Sequence, residues 1–144
     1  FNNINDHAAE DTGCVFVQQY PKSNKIQISI SDFGVGIPYN VKNNYDPFLD
    51  DAQALYKAAQ KGFSTRSTPK NRGVGLDNLI TSVVKSNQGT VHIHSNNGIL
   101  NCTNVNNKVN FIPRLARGFY PGTLIEITLR TDNIENIEEE FEWD

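Results

Sequence analysis

Strand-like patterning first appears between positions 14 and 30. Residues 14–20 (CVFVQQY) and 25–30 (KIQISI) are rich in β-branched and aromatic side chains, and residues 21–24 (PKSN) between them favour a turn. Every second residue from Ile26 to Ile30 is hydrophobic, which is typical of a strand with one buried face. This pattern predicts a β-hairpin.

Hydrophobic residues at helical spacing appear twice after this hairpin. Residues 51–61 (DAQALYKAAQK) predict a short helix, with Asp50 and Asp51 as its N-terminal caps. The spacing recurs from position 76 to position 84, and this second helix is expected to end near 87–89. Both helices are expected to pack on the sheet that the strands form.

Three further segments show neither pattern clearly. Residues 1–10 have a helix-compatible composition, residues 39–50 contain Pro47 and are predicted to be irregular, and the polar and basic residues 62–72 predict a loop.

Strand-like patterning returns in the C-terminal half of the chain. Four strands are predicted, over 90–95, 99–103, 109–112 and 123–129, and residues 96–98 (NNG) predict a turn between the first two. Seven asparagines between positions 96 and 110 indicate a region rich in turns, to which we assign little function. The chain as a whole is therefore predicted to have an α/β fold.

Length and charge limit the possible classes of protein. With 144 residues and 38% hydrophobic content, the chain fits one folded domain over residues 1–131, followed by an acidic tail over 132–144. Seven of the sixteen acidic residues follow Arg130, so the preceding part carries 13 basic and 9 acidic residues. This mild positive charge suits an anionic small molecule, and no long basic block favours nucleic acid as a partner.

Two expectations concern the location of the protein. No hydrophobic stretch is long enough to span a membrane, so no membrane association is expected of this segment. The two cysteines form no CxxC pair and are too few for a disulfide framework, which favours reduced thiols and a cytoplasmic protein.

Two glycine motifs lie where predicted strands meet predicted helices. At 32–36 (DFGVG) a carboxylate ends a strand, and two glycines allow the backbone to approach a ligand closely. At 73–76 (GVGL) two glycines open a helix, whose free N–H groups and positive dipole end favour an anion. A site for a base and a site for phosphates would together hold a nucleotide.

In their order along the chain, these motifs resemble those of the GHKL superfamily of ATP-binding domains, which includes histidine kinases, type II topoisomerases and mismatch-repair ATPases. Five segments carry the resemblance: an N-box half at 3–8 (NINDHA), a G1 box at 32–38 (DFGVGIP), a pre-lid stretch at 62–66 (GFSTR), a G2 box at 73–79 (GVGLDNL) and a last motif at 121–129 (PGTLIEITL). The resemblance implies a two-layer sandwich of the Bergerat type. Its sheet would be mixed and mostly antiparallel, with helices on one face and a mobile lid at about 62–72.

The resemblance also implies how adenine would be held. Asp32 would accept a proton from the exocyclic amine of the base, and Thr123 would support a bridging water beside it. Gly34 and Gly36 would leave room for the ring, and Ile37 would form an apolar wall.

The same resemblance implies how the rest of the nucleotide would be held. Asn3 would complete the coordination of a Mg²⁺ ion between the phosphates, and Leu79 would supply a second apolar wall. Backbone N–H groups and cationic lid side chains would surround the phosphates of ATP. These residues are Gly73, Val74, Gly75 and Leu76 at the helix start, and Arg66, Lys70 and Arg72 before it.

The chain departs from the family pattern in two places. The Glu that activates the nucleophile in hydrolysing members would lie four residues before Asn3, a position that falls before residue 1. The FxxF box of classical histidine kinases is not recognisable, since residues 39–61 form a different insertion. The absence of methionine, including at position 1, indicates a truncated piece of a longer protein. Three functions stay open: a kinase, an ATPase, or an ATP-gated switch that acts on a protein partner or an upstream domain.

Several single motifs admit an alternative interpretation. The triplet DFG at 32–34 also binds magnesium in eukaryotic-type protein kinases, but no HRDxxxxN motif accompanies it here. His92 and His94 lack a third ligand at a recognisable spacing, so an exposed sheet face is favoured over a zinc site. His7 is interpreted as a helix-surface residue. For Arg66, Lys70 and Arg72, a solvated loop is the alternative to a phosphate-binding lid.

Overall fold

The computed structural model describes residues 13–60, 62–63 and 75–133. The helix expected over 1–10 and most of the acidic tail lie outside the described residues. The elements are β1 (Cys14–Tyr20), β2 (Lys25–Asp32), α1 (Ile37–Asn44), α2 (Asp51–Ala58), α3 (Leu76–Ile80), a π-helical segment (Thr81–Ser86), β3 (Thr90–Val105) and β4 (Lys108–Arg130).

The predicted N-terminal hairpin is confirmed. β1 and β2 pair in antiparallel register from Cys14 opposite Ser31 to Tyr20 opposite Lys25. A short 3-10 turn connects them, and Asn24 closes it with a φ of 54°, a conformation that asparagine tolerates better than most residues. β2 continues to Asp32, and its other edge pairs with β4.

β3 is paired with β4 along its length, but it is not straight. Its register against β4 shifts between Ser95 and Gly98. His92 Nδ1 and Asn101 Oδ1 lie 2.5 Å apart, whereas an extended strand would separate residues nine apart by about 30 Å. The chain therefore reverses at 96–98 within β3. The prediction of a turn between two separate strands there is wrong, since β3 continues through these residues, and the predicted strands 109–112 and 123–129 likewise belong to the single strand β4.

The helices cover one face of the sheet. Val91 and Ile93 of β3 are buried against this layer, whereas His92 and His94, which alternate with them, are only partly buried. The main core combines residues of the sheet with Leu55 of α2 and residues of the π-helical segment. This arrangement confirms the predicted two-layer α/β sandwich, and the three strand pairs in the described part of the chain are all antiparallel.

α1 occupies part of the segment that the sequence predicts to be irregular, so that prediction is wrong. No side chain of its own sequence caps this helix. Instead Ser95 Oγ accepts from Ile37 N at 2.9 Å, and Asn96 Oδ1 accepts from Tyr39 N at 3.2 Å. Two of the unpaired N–H groups of the first turn are thus satisfied from β3, about 60 positions along the chain, and Pro38 between them has none to satisfy.

α2 begins as predicted at its aspartates, but only one of them is a cap. Asp50 accepts from Gln53 N at 2.7 Å while Gln53 Oε1 accepts from Asp50 N at 2.9 Å, which is a capping box. The predicted capping role of Asp51 is wrong. Its buried carboxylate contacts Lys42 Nζ at 2.5 Å and accepts from Asn97 N at 2.8 Å.

The second predicted helix begins at Leu76 and ends before Asn87, as expected. Its second half is π-helical over Thr81–Ser86, which the spacing of hydrophobic residues does not predict. Asn87, fully buried, closes the end by accepting from Arg130 N at 2.7 Å and donating to Arg130 O at 3.0 Å. The helix is thereby fixed to the end of β4.

Candidate functional site

Asp32 is the last residue of β2, and its neighbour across the sheet is Thr123 of β4. Gly34 N donates to Asp32 Oδ1 at 3.1 Å, so the carboxylate organises the turn that follows the strand. Asp32 is partly buried and Thr123 is 5% exposed. Two of the predicted base-binding residues are therefore adjacent at one end of the sheet.

A serine that the sequence analysis did not select lies at the centre of this region. Ser95 Oγ donates to Gly122 O at 2.6 Å, lies 2.9 Å from Thr123 Oγ1 and accepts from Ile37 N at 2.9 Å. Ser95 is fully buried. It therefore connects β3, β4 and the start of α1 in one hydrogen-bond network.

Gly36 requires its glycine because the backbone approaches Asn96 closely. Its φ is +96°, and a Cβ built there would lie 2.5 Å from the Asn96 side-chain amide. Asn96 is 3% exposed, donates to Val35 O at 3.2 Å and accepts from Tyr39 N at 3.2 Å. The turn of the first glycine motif is thus held by Asn96, which belongs to the asparagine-rich segment 96–110.

Position 122 of β4 also requires glycine, because the backbone of Asp32 lies close to it. Its φ is +90°, and a Cβ built there would collide with the backbone oxygen of Asp32. β2 and β4 approach each other here without a side chain between them, immediately beside Thr123. The glycine of the last predicted motif is therefore required by the packing of the two strands.

Leu76 of the second glycine motif packs against the same hydrophobic clusters as Ile37. Ile37 and Leu76 both pack against the main core and against the smaller cluster around Val41. Gly75 directly precedes α3, as predicted. Its backbone is extended, and its carbonyl accepts from Leu79 N at 3.2 Å. The predicted apolar walls, Ile37 and Leu79, both pack against the main core.

Gly62, the first residue of the predicted lid, lies near α3. Gly62 N and Asp77 Oδ2 are 3.4 Å apart, although fifteen positions separate the two residues. Phe63 packs against Tyr45, with the ring centroids 4.9 Å apart.

Seven of the thirteen predicted binding residues lie in the described part of the chain: Asp32, Gly34, Gly36, Ile37, Gly75, Leu76 and Thr123. The others, Asn3, Arg66, Lys70, Arg72, Gly73 and Val74, lie outside the described residues. Sequence reasoning missed Ser95 and Asn96. One signal was present, because Ser95 continues the alternation of Val91 and Ile93, and a hydroxyl at an inward position needs hydrogen-bond partners.

The described residues contain no cluster of three or more His, Cys, Asp or Glu side chains that would hold a metal ion. His92 contacts Asn101, and His94 Nε2 lies 3.2 Å from Gly118 O, so both imidazoles have partners within the sheet. No helix in the described part of the chain is long and apolar enough to cross a membrane.

An open groove of about 570 Å³ lies elsewhere on the surface, between α2 and β4. It is lined by residues that include Tyr56, Lys57 and Leu115. None of the predicted nucleotide-binding residues lines this groove, so it is separate from the site at Asp32.

No protein-family model matches this chain, and neither does any curated protein. Among solved structures, the ATPase region of Saccharomyces cerevisiae topoisomerase II is similar over 94% of this chain and 36% of its own, at 11% identity and a TM-score of 0.46. The same region bound to ICRF-187 (dexrazoxane) matches with the same coverage at 12% identity and a TM-score of 0.46.

The topoisomerase IV ATP-binding domain of Francisella tularensis, in complex with a small-molecule inhibitor, matches over 92% of this chain and 34% of its own, at 13% identity and a TM-score of 0.44. This chain spans about a third of the length of the solved chains that it matches. In its sequence motifs, the chain resembles ATP-binding domains of the GHKL superfamily.

Proposed function

We propose that this chain is an ATP-binding domain of the GHKL type. The observation that carries the proposal is the position of Asp32 at the end of β2, beside Thr123 and directly before the turn that ends at Gly36. An ionised carboxylate accepts hydrogen bonds only, and the exocyclic amine of adenine offers two donors. The strand end is therefore suited to the amine edge of this base.

The surroundings of Asp32 suit a flat apolar ring. Gly34 and Gly36 carry no side chain. Phe33, before the two glycines, and Val35, between them, are each 54% exposed. Ile37 follows at the start of α1 and is partly buried. Binding sites for small molecules commonly combine such apolar surface with a few polar groups that fix orientation.

The phosphates are proposed to extend from Asp32 towards Gly75 and Leu76. Gly73 and Val74 would add backbone N–H groups, and Arg66, Lys70 and Arg72 would add positive charge from the lid. A Mg²⁺ ion, which prefers oxygen ligands, would be bound by the phosphates and by Asn3. These assignments rest on the resemblance of the motifs.

In the protein from which this chain comes, the domain is proposed to support phosphoryl transfer or ATP hydrolysis. Both reactions depend mainly on positioning the phosphates and neutralising their charge, rather than on covalent chemistry by the protein. A kinase of the histidine-kinase-like type is the finer form of this proposal.

The proposal is tested by calorimetric titration of the chain with ATP and Mg²⁺, using the wild type and Asp32→Asn. We expect wild-type binding and a loss of affinity of about tenfold or more in the variant, since hydrogen bonds to a charged group typically contribute about 1.5–3 kcal/mol. The absence of wild-type binding, or equal affinity in Asp32→Asn, would refute the proposal.

Asp132→Asn is a matched control because it removes the same charge at the opposite end of the pairing between β2 and β4. Asp132 is exposed and pairs with Arg130, whose cross-strand neighbour is Lys25, whereas Thr123 lies opposite Asp32. This variant is expected to bind ATP as the wild type does, so that a loss in Asp32→Asn alone reports the local contact.

A further inference from the structure

The open groove between α2 and β4 presents apolar surface to solvent. Tyr56 is 41% exposed and Leu115 is 56% exposed, and both line the groove. The Tyr56 ring packs on Phe111 of β4 in a T-shaped arrangement, with the ring centroids 5.5 Å apart. The apolar wall of the groove is therefore supported by the sheet.

Two basic side chains add positive charge to this groove. Lys57 of α2 and Arg114 of β4 line it, and neither forms an ion pair with a carboxylate of the described residues. Asp50 also lines the groove, but its carboxylate caps α2, about 10 Å along the helix from Lys57. No acidic residue occurs in the sequence from 78 to 125. An anionic segment would therefore meet two cations that no carboxylate in the described part of the chain neutralises.

The β4 side of the groove is an open edge of the sheet. Residues 108–115 pair with 98–105 of β3, and no second strand pairs with them among the residues that the structure describes. Pro113 has no N–H and would interrupt a ladder of hydrogen bonds along this edge. A segment that lies along this edge would therefore be held mainly by its side chains.

The two sides of this edge differ in chemistry. Phe111 packs against the core, and successive side chains of a strand point to opposite faces. Leu115 therefore lies on the core side, near Tyr56, and Arg114 lies on the opposite side. An extended segment that fits here carries apolar side chains on one face and acidic side chains on the other.

The sequence after β4 has this pattern. Residues 134–144 contain six acidic and no basic side chains, and residues 139–144 read EEFEWD. Glu139, Phe141 and Trp143 would share one face of an extended segment, and the other face would carry three carboxylates.

We propose that residues 139–144 dock in the groove between α2 and β4. Phe141 and Trp143 contact the apolar surface of Tyr56 and Leu115, and the acidic face of the segment is attracted by Arg114. Aromatic side chains gain most from such a contact because each buries a large apolar area. This interaction is separate from nucleotide binding and does not depend on the proposed function.

The chain is long enough for this contact within one molecule. Asn133, the last described residue, donates to Asn87 O at 2.9 Å beside the end of β4. Arg130 and Leu115 are about three strand spacings apart across the sheet and about seven residues apart along it, which corresponds to about 27 Å. The segment from Asn133 to Trp143 spans up to about 33 Å when extended.

Trp143 is the only tryptophan of this chain, so its fluorescence reports the contact directly. The experiment compares acrylamide quenching of the full chain with that of a synthetic peptide of residues 134–144. We expect a lower quenching constant and an emission maximum at shorter wavelength in the full chain, because docking shields the indole ring from water. Equal quenching in the chain and the peptide would overturn the proposal.

Two variants of the full chain test the groove itself. The double variant Lys57→Glu, Arg114→Glu replaces attraction by repulsion, and we expect the quenching constant of Trp143 to rise by about twofold or more. Leu115→Gln removes apolar surface without a change of charge and is expected to raise it as well. All three side chains are exposed, and circular dichroism checks that the variants are folded.

Lys85→Glu is the matched control, since Lys85 is also an exposed lysine but does not line the groove. It is expected to keep the wild-type quenching constant. Wild-type quenching in both folded groove variants would overturn the docking site, even where Trp143 is shielded in the wild type.

Dilution distinguishes docking within one molecule from docking between two copies. We expect the shielding of Trp143 to be independent of protein concentration, with a monomer in analytical ultracentrifugation. Shielding that increases with concentration would assign the segment in the groove to a second copy and would overturn docking within the chain. A chain that shields Trp143 in this way but does not bind ATP would refute the proposed function alone.

Discussion

Several buried polar side chains in this molecule make more than one hydrogen bond each. Asn96 accepts from Tyr39 N and donates to Val35 O, and Asn87 makes two bonds to the backbone of Arg130. A buried polar atom without a partner costs about 1–3 kcal/mol, so these hydrogen bonds fix the local backbone. Asn96 and Ser95 together determine the shape of the turn beside Asp32.

The two cysteines differ in reactivity. Cys14 is exposed, whereas Cys102 is fully buried and its burial raises the thiol pKa to about 12. Because the thiolate is the reactive form, a disulfide reagent at pH 8 is expected to modify one thiol in the native chain and two in denaturant. Peptide mapping by mass spectrometry should identify Cys14, and Cys14→Ser should not react while folded. Rapid labelling of Cys102 in the native chain would contradict the burial.

The helices of this molecule are stabilised at their N-termini in two different ways. α2 carries its own capping box in Asp50 and Gln53, a local signal that the sequence displays. α1 begins after Gly36 without a side-chain cap of its own and takes hydrogen bonds from Ser95 and Asn96 of β3. The N-terminus of α1 therefore depends on hydrogen bonds from the sheet, whereas α2 is capped by residues of its own sequence.

Removal of the α2 cap gives a test at the level of this element. Asp50→Ala is expected to lower the free energy of unfolding by about 1 kcal/mol, because the N–H of Gln53 loses its acceptor. Urea denaturation of the variant and of the wild type measures the difference. Gln53→Ala removes the reciprocal bond, and the double variant is expected to lose less than the sum of the two single changes. A wild-type midpoint for Asp50→Ala would argue against the cap.

At the scale of the whole molecule, the buried carboxylate of Asp51 links α1 and α2 to the reversal in β3. Asp51 belongs to α2, contacts Lys42 of α1 and accepts from Asn97 N. Gly98 lies so close that a Cβ built on it would be 2.6 Å from the backbone oxygen of Asp51. The reversal at 96–98 therefore packs directly on the start of α2.

Asp51→Asn tests this link between elements. The isosteric change removes the charge that faces Lys42 and weakens the bond to Asn97 N, so we expect the free energy of unfolding to fall by about 1–3 kcal/mol. Lys42 is 35% exposed, and solvent screening reduces its share of this loss. Denaturant unfolding of Asp51→Asn, Lys42→Met and the double variant separates the ion pair from the other contacts. Unchanged stability in Asp51→Asn would rule out the link.

Local patterns in the sequence determined much of this structure. The alternation of Ile26 to Ile30 predicted β2, and the spacing after Leu76 predicted the start of the second helix. The turn residues at 96–98 predicted the reversal within β3. Such elements follow from the sequence because their causes lie within a few neighbouring residues.

The tertiary structure alone decided the rest. α1, the network of Ser95 and the buried contact of Asp51 depend on partners up to about 60 positions away, and no local pattern encodes those partners. The glycine motif at Asp32 was visible in the sequence, but the residues that hold its turn were not. The sequence by itself determined which chemical groups the site contains. The packing of β3 against β4 and α1 decided that the side chains of Ser95 and Asn96 hold the backbone around the site. Hydrogen bonds across the fold form only once distant segments are brought together.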